Sequence, residues 1–389
     1  MGRIIKLTLF LCFSLISHSD ALPLINSAIS QLQTLPNFHL NVFASHINAA
    51  RELTLGSKGT VFVGSGNDSV YAIEPNQSQT STHSTEVIAD HLKKPGGVAF
   101  ADGNLFVATE NKILRYTNIE QHLKNPPKPT IIAILPTLTS NSATLFHYLA
   151  VGPDDKLYVS VPAPCDHCHS QPPYASILQM NTDGTHRIIY AKGIRASLGF
   201  DWLPTDNSLW FTSIGETDLG EKIPPATINR ANKPHLDFGF PNFYGNKKLS
   251  PHHTFFYSAK NIIPPTLELP AHVEPMGLKF YSGRMFPTQF HNQILVAEHG
   301  LFKPGTETIG HQIILVTLKN NKAVFYQPFV WGFHTATENW GDPVDLLNMA
   351  DGSILISDDN ANTIYRLSFL APSSRKKTNA DHAVDIETD

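Results

Sequence analysis

The stretch "LAVGPDDKLYVSV", Leu149 to Val161, sets two short apolar runs on either side of a Gly-Pro-Asp-Asp turn. That pattern reads as a β-hairpin. The same phrase returns as "LTLGSKGTVFVGS" at Leu53, "VAFADGNLFVAT" at Val98 and "FDWLPTDNSLWFTS" at Phe200. It returns again as "LKFYSGRMFPTQFHNQILVAEHG" at Leu278 and "LLNMADGSILISDD" at Leu346. The turn residues Gly59, Gly103, Asp155, Asn207, Asn292 and Gly352 stand 44, 52, 52, 85 and 60 positions apart. A hairpin leaves two edges and a bare face, and radial repetition buries those faces, so six such units predict an all-β, six-bladed β-propeller. A strand from near the N-terminus is a natural means of closing the ring. The long interval between Asn207 and Asn292 must hold large connecting loops, which gather at one end of a propeller channel, where ligands bind.

At the N-terminus, Arg3 and Lys6 precede the apolar run Leu7 to Ile16 and the small-residue exit Ser19-Asp20-Ala21. This reads as a signal peptide over residues 1–21, with an apolar run too short for a bilayer span. The mature protein is expected in the periplasm or outside the cell, with no stable membrane span after cleavage. The propeller is assigned to residues 22–370, and the polar remainder, 371–389, has the composition of a disordered tail. The net charge is −4 and no basic stripe occurs. Nucleic acid is therefore excluded as a partner.

Cys165-Asp-His-Cys168-His169 matches the C-x-x-C-H pattern of covalent haem. Haem needs a helical pocket, whereas Pro162, Pro164, Pro172 and Pro173 bracket the motif and forbid a continuous helix. Zinc is the next reading, with His167 and His169 beside the thiolates, but four ligands crowded into five residues cannot easily surround one tetrahedral ion. A local Cys165–Cys168 disulfide in an oxidising compartment is expected instead.

The runs "KGIRASLGFDWLPTDNSLWFTSIGETDLGEKIPPATINR", "FGFPNFYG", "PAHVEPMGLKFYSGRMFP", "AEHG" and "WGDPVDLLNMADGSILISDD" resemble the glucose/sorbosone dehydrogenase family. The resemblance covers residues 38–369 and implies a soluble six-bladed propeller that oxidises an aldose or sorbosone-like sugar with pyrroloquinoline quinone (PQQ) and Ca2+, passing electrons to an unidentified acceptor. It implies that His147, in "LFHYLAVGPDD", takes the proton from the sugar hydroxyl while hydride passes to the quinone. Arg195, in "GIRASLGF", would face the quinone oxygen, and Lys303 would meet a PQQ carboxylate. The carbonyls of Gly215 and Glu216, in "SIGETDLG", would hold calcium. Two positions depart from the family pattern. Ala196 stands where it usually has Asn, and Asp342 where it commonly has Arg, which sets an anion against a cofactor bearing three carboxylates. Two other functions stay open on these residues: a non-catalytic propeller that binds a sugar or a protein, and a metal-dependent propeller lactonase, which would need carboxylate or amide ligands converging on the channel axis.

Overall fold

The computed structural model describes residues 29–137, 145–253, 258–301, 309–335 and 337–371. The expected signal peptide, Lys303 and all but the first residue of the expected tail lie outside the described residues. The six hairpins become six antiparallel sheets around one channel. Blade 1 is built from Ala50–Leu55, Val61–Ser65, Val70–Pro75 and Thr82–Ala89, and blade 2 from Gly97–Ala101, Asn104–Ala108, Lys112–Tyr116 and Thr130–Ile134. Blade 3 comprises Leu149–Val151, Leu157–Val161, Ser176–Met180 and Ile188–Lys192, with Leu236–Asp237 added in parallel at its outer edge. Blade 4 holds Phe200–Trp202, Leu209–Ser213, Ala226–Ala231 and Leu267–Leu269. Blade 5 holds Pro275–Phe280, Ile294–Glu298, Gln312–Lys319 and Lys322–Trp331, edged by Gln33–Thr34. Blade 6 has three strands from the C-terminal end, Pro343–Asn348, Ile354–Asp358 and Thr363–Phe369, and takes its fourth, Phe38–Ser45, from the N-terminal end.

All six turn residues picked out by the repeat have positive φ: Gly59 at 88°, Gly103 at 77°, Asp155 at 58°, Asn207 at 55°, Asn292 at 59° and Gly352 at 86°. Gly, Asn and Asp tolerate that region best, so the composition of each turn follows from its backbone. Six apolar clusters hold the ring, one between each pair of neighbouring blades. The long interval after Asn207 contains the loop 214–225 and an insertion between the third and fourth strands of blade 4, which carries the small hairpin Phe243–Tyr244 with Lys248–Leu249.

The first strand of every blade is the innermost one. Glu52 Oε2 on blade 1 accepts N–H bonds from Val98 of blade 2 (3.3 Å) and Leu149 of blade 3 (2.9 Å). Asp345 Oδ2 on blade 6 accepts from Leu53 N (2.9 Å), and Asp201 Oδ2 on blade 4 accepts from Phe280 N of blade 5 (2.9 Å). Lys279, half-buried, lies among these three carboxylates, whose charges outweigh the desolvation that opposes its own and raise its pKa. No helix among the described residues is long and apolar enough to cross a membrane.

The closing strand is anchored by Phe38, whose ring meets Phe286, Phe290, Phe329 and Phe369 edge-on at centroid distances of 4.8, 5.2, 4.7 and 5.0 Å. Phe38→Ala should cost about 3–5 kcal/mol, the range for removing a buried aromatic ring, measured by denaturant unfolding. A loss under about 1 kcal/mol, an ordinary surface effect, would show that closure does not depend on this ring.

Candidate functional site at the channel mouth

The second strands of the blades end, and the first strands begin, at one mouth of the channel. Charged side chains from blades 1, 5 and 6 meet there. Arg51 Nη2 lies 3.4 Å from Asp359 Oδ2, and Asp359 Oδ1 lies 3.2 Å from His299 Nε2. His299 Nδ1 in turn faces Glu274 Oε2 at 3.8 Å. Glu274 also feels the charge of Arg195, and Arg195 Nη2 is paired with Asp166 Oδ1 at 2.6 Å. The result is a row of alternating sign: Arg51, Asp359, His299, Glu274, Arg195, Asp166.

The titrations follow from that row. Burial opposes a charge on His299, but its hydrogen bond to Asp359 and the charges of Asp359, Asp342 and Glu274 win and raise its pKa to about 9. Burial raises Glu274, with the charges of His299 and Arg195 pulling the other way. Glu274 has φ of 45°, a backbone state that a non-glycine residue rarely holds and that concentrates at functional sites. Burial also lifts Glu298, and Gln312 offsets only part of this, leaving its pKa at about 7. Asp358 rises to about 7 for the same reason, although Ala361 N and Asp342 N donate to it.

Asp342 answers the charge question raised by the sequence. Its Oδ1 accepts from His311 Nδ1 at 2.6 Å, and Asn339 Nδ2 donates to both of its oxygens at 2.9 Å. Burial would raise its pKa, yet these donors and the charge of His299 lower it instead. The anion is thus satisfied inside the protein by histidines and an amide, with no lysine among these partners. Ala196 is 1% exposed and packs in the apolar cluster between blades 3 and 4.

Arg195 stands at the mouth, and its buried Nε has no hydrogen-bond partner among the described residues. Gly215 and Glu216 line a small cavity with Arg195, Ser213, Asn229 and Tyr244. A Cβ on Gly215 would come within 2.7 Å of Pro224 Cγ, so this position has no room for a side chain. Cys165 and Cys168 form the expected disulfide, with Cα atoms 5.8 Å apart.

His147 departs from the expected setting. It is 1% exposed, with Nδ1 2.7 Å from Ser160 O and Nε2 3.2 Å from Glu110 O. Burial lowers its pKa against these carbonyl contacts. Both ring nitrogens face backbone carbonyls, and a neutral imidazole can donate to only one of them. The groups that sequence reasoning passed over are Arg51, Glu274, His299 and Asp359. Three of them sit inside motifs that carried the resemblance, "EPMG", "AEHG" and "ISDD", and a charged residue interrupting an apolar strand end was the available signal.

Glu298 and His299 share one sign of pH dependence. A carboxyl raised from 4.5 to about 7 contributes stability below pH 4.5 that is lost as pH rises through 7. A histidine raised to about 9 contributes stability below 6.5 that is lost as pH rises through 9. Unfolding free energy should therefore fall from pH 5 toward pH 9. Glu298→Gln should flatten the lower part of that fall by about 3 kcal/mol at roughly 1.4 kcal/mol per pKa unit. An unchanged slope between pH 5 and 8 would mean that Glu298 does not titrate in this window.

No family model matches the chain. Among solved structures, the iodide structure of a Trichoderma reesei carbohydrate-active enzyme of family AA12 superposes with a TM-score of 0.75 and 17% identity, over 87% of this chain and 98% of that one. The holo form of the pyranose dehydrogenase PQQ domain from Coprinopsis cinerea follows with 0.70 and 12%, over 87% and 97%. The apo form of the soluble aldose sugar dehydrogenase from Escherichia coli gives 0.67 and 12%, over 86% and 100%. Identities this low carry the fold alone. A curated relative, an uncharacterized protein of Borreliella burgdorferi, is 32% identical over 358 residues, 87% of this chain and 91% of that protein. Likeness of that extent is shared descent, and the chain belongs to the same family as the Borreliella protein, built on the propeller fold that quinone-dependent sugar dehydrogenases also use.

Proposed function

We propose that this protein is an exported oxidoreductase that takes two electrons from a hydroxyl of an aldose or sorbosone-like sugar at the channel mouth, with PQQ and calcium as its cofactors and a separate electron acceptor. The observation that carries the proposal is the buried Arg195 Nε, a donor without an acceptor among the described residues, in a mouth that also gathers Arg51 and a cationic His299. These three cations fit a ligand with three carboxylates, provided that it competes with the protein carboxylates now paired to them. Gly215 and Glu216 would hold the calcium ion, whose preference is for oxygen ligands. When bound, the quinone supplies the hydride acceptor.

The protein's own residues supply the rest. Arg195 holds a fixed positive charge where negative charge must accumulate. Glu274, raised by burial and flanked by His299 and Arg195, is the group at the mouth suited to accept the hydroxyl proton. A base works best with a pKa near the working pH, and burial is the usual means of bringing a carboxylate there.

A second reading has its own observation in favour. Arg51, His299 and Arg195 are each paired with a carboxylate already, which suits a propeller that binds a sugar or a protein without any quinone. For the lactonase reading, Glu52, Asp201 and Asp345 are engaged around the ammonium of Lys279, which leaves His299, Asp342 and Asp359, whose donor atoms lie within 4.8 Å of one another, as its candidate ligands.

Purified protein mixed with PQQ and calcium should show protein-bound quinone absorbance and sugar-dependent dye reduction. Arg195→Ala should lose both. Glu274→Gln should keep the quinone and lose turnover by roughly 100-fold. No bound quinone in the parent protein would refute the dehydrogenase proposal and favour the second reading. A turnover loss in His147→Ala but not in Glu274→Gln would move the base to His147 and require its ring to leave the Ser160 and Glu110 carbonyls.

A further inference from the structure

Beside the Arg195–Asp166 pair, three segments distant in sequence converge on the surface. The disulfide loop brings His167, the loop after the second strand of blade 4 brings Asp218, and the insertion brings His252. Asp218 sits between the two imidazoles, with Oδ2 3.5 Å from His167 Nδ1 and Oδ1 3.2 Å from His252 Nε2. The donor atoms of the three residues all lie within 4.8 Å of one another. The imidazole rings are stacked, with centroids 4.2 Å apart and planes 12° from parallel.

We propose that His167, Asp218 and His252 form a binding site for a divalent first-row transition ion of the zinc type, with Glu216 or a water completing four-coordination. Two imidazole nitrogens and one carboxylate are the donor set that such ions select, whereas calcium takes oxygen. The site is therefore chemically distinct from the carbonyl site expected at Gly215 and Glu216, and it does not rest on the quinone reading.

The competing description is a solvated cluster of ion pairs. In that description each imidazole could donate one N–H to Asp218, and the geometry around Glu216 is what sets the two descriptions apart. Glu216 adds a second observation. Its residue is 4% exposed, its only hydrogen bonds among the described residues are long ones from Ser250 Oγ at 3.3 and 3.4 Å, and its Oε2 faces His252 Nε2 at 3.7 Å. This buried carboxylate, weakly bonded on its other side, is turned toward the same nitrogen that the ion would use.

The scaffold holds the donors in place without the ion. Thr217 donates to Asp166 Oδ2 from its N (2.8 Å) and its Oγ1 (2.9 Å), tying the Asp218 loop to the disulfide loop. His253 Nε2 lies 3.0 Å from His167 O, and its ring meets His169 edge-on at 4.6 Å, tying the insertion to the same loop. Cys165–Cys168 closes the loop itself. Such preorganisation is what separates a metal site from an accidental cluster.

The test is equilibrium dialysis of the chelator-stripped full chain against zinc in the presence of excess calcium, with bound metal counted. One zinc ion per chain should be retained. His167→Ala and His252→Ala should each weaken binding at least about tenfold, the loss that follows removal of even an outer partner of a ligand. Both side chains are on the surface, 47% and 30% exposed, so melting curves should confirm that the variants fold, and the remote, exposed His186→Ala should bind as the parent does. Copper(II) in place of zinc should show hyperfine coupling to two imidazole nitrogens, reduced to one in either variant. No retained zinc, or zinc retained equally by both variants, overturns the proposal. A one-nitrogen spectrum in the parent would also overturn it, since that is what His299, Asp342 and Asp359 at the mouth would give.

Discussion

Six innermost strands share one channel, and the edge that each turns toward it carries N–H groups that no neighbouring strand can take. A buried N–H without an acceptor costs as much as a lost hydrogen bond or more. The ring meets this demand with carboxylates carried on the same strands. Glu52 takes amides from blades 2 and 3, Asp345 takes one from blade 1, and Asp201 takes one from blade 5. Each bond crosses between blades, so the polar groups that satisfy the channel also fix how the blades are turned toward one another. Three carboxylates this close would repel if all were ionised. Lys279, raised by their charge, and burial that pushes Asp345 up to about 6 reduce that repulsion from both sides. A group of this kind tolerates loss of one member badly, because the remaining charges stay buried without their partner.

The mouth applies the same rule with one difference: its charges are arranged in sequence, not gathered around one ammonium. Neighbours of opposite sign stabilise each other, so a single substitution propagates along the row. Asp342 illustrates this. As an isolated replacement for arginine it reads as a defect in a site for an anionic cofactor. Set between His311 and Asn339 and close to His299, it adds its charge to that of Asp359, the main partner, in raising the pKa of His299.

The hairpins were legible because their code is local. Apolar runs of fixed length and a turn residue able to hold positive φ are both visible in a window of a dozen residues, and all six turn positions have that φ. Arg195 was picked out by a motif, and the disulfide was legible through the isolation of two cysteines in one loop. The mouth was not, because its row joins positions 51, 195, 274, 299 and 359, whose proximity is created only by closing the ring. His147 shows what a motif leaves open. Its motif is intact, but the ring points where Ser160 and Glu110 offer carbonyls, and a sequence match carries no information about side-chain direction. Asp201 and Lys279 did leave a trace, since each is the charged residue of an otherwise apolar first strand, whereas Glu52 shares its strand with Arg51 and Thr54 and Asp345 shares its strand with Asn348. Read as strand exceptions they are unremarkable, and only their common radial position makes them a set.

Closure and chemistry are coupled by the order of the blades. Blade 6 is completed by Phe38–Ser45, which pairs along the whole of Thr363–Phe369. Asp342, Asp358 and Asp359 belong to that blade or its border, Arg51 begins blade 1, and His299 leaves blade 5. The Arg51–Asp359 pair thus spans the seam where the chain meets itself, and the His299–Asp359 bond spans the next one. Asn362 Oδ1 also accepts from Ala49 N at 2.7 Å, and Ser357 Oγ donates to Arg51 O at 2.6 Å, so the backbone is stitched across the same seam. A strand drawn from the far end of the chain therefore fixes the distance between the first and last blades, and with it the spacing of the charges at the mouth. Opening that seam would separate Arg51 from Asp359 and leave the Asp359 carboxylate without its guanidinium, while its bond to His299 across the next seam stays in place, so the row of charges would be cut at its first link before any residue of the site had been changed.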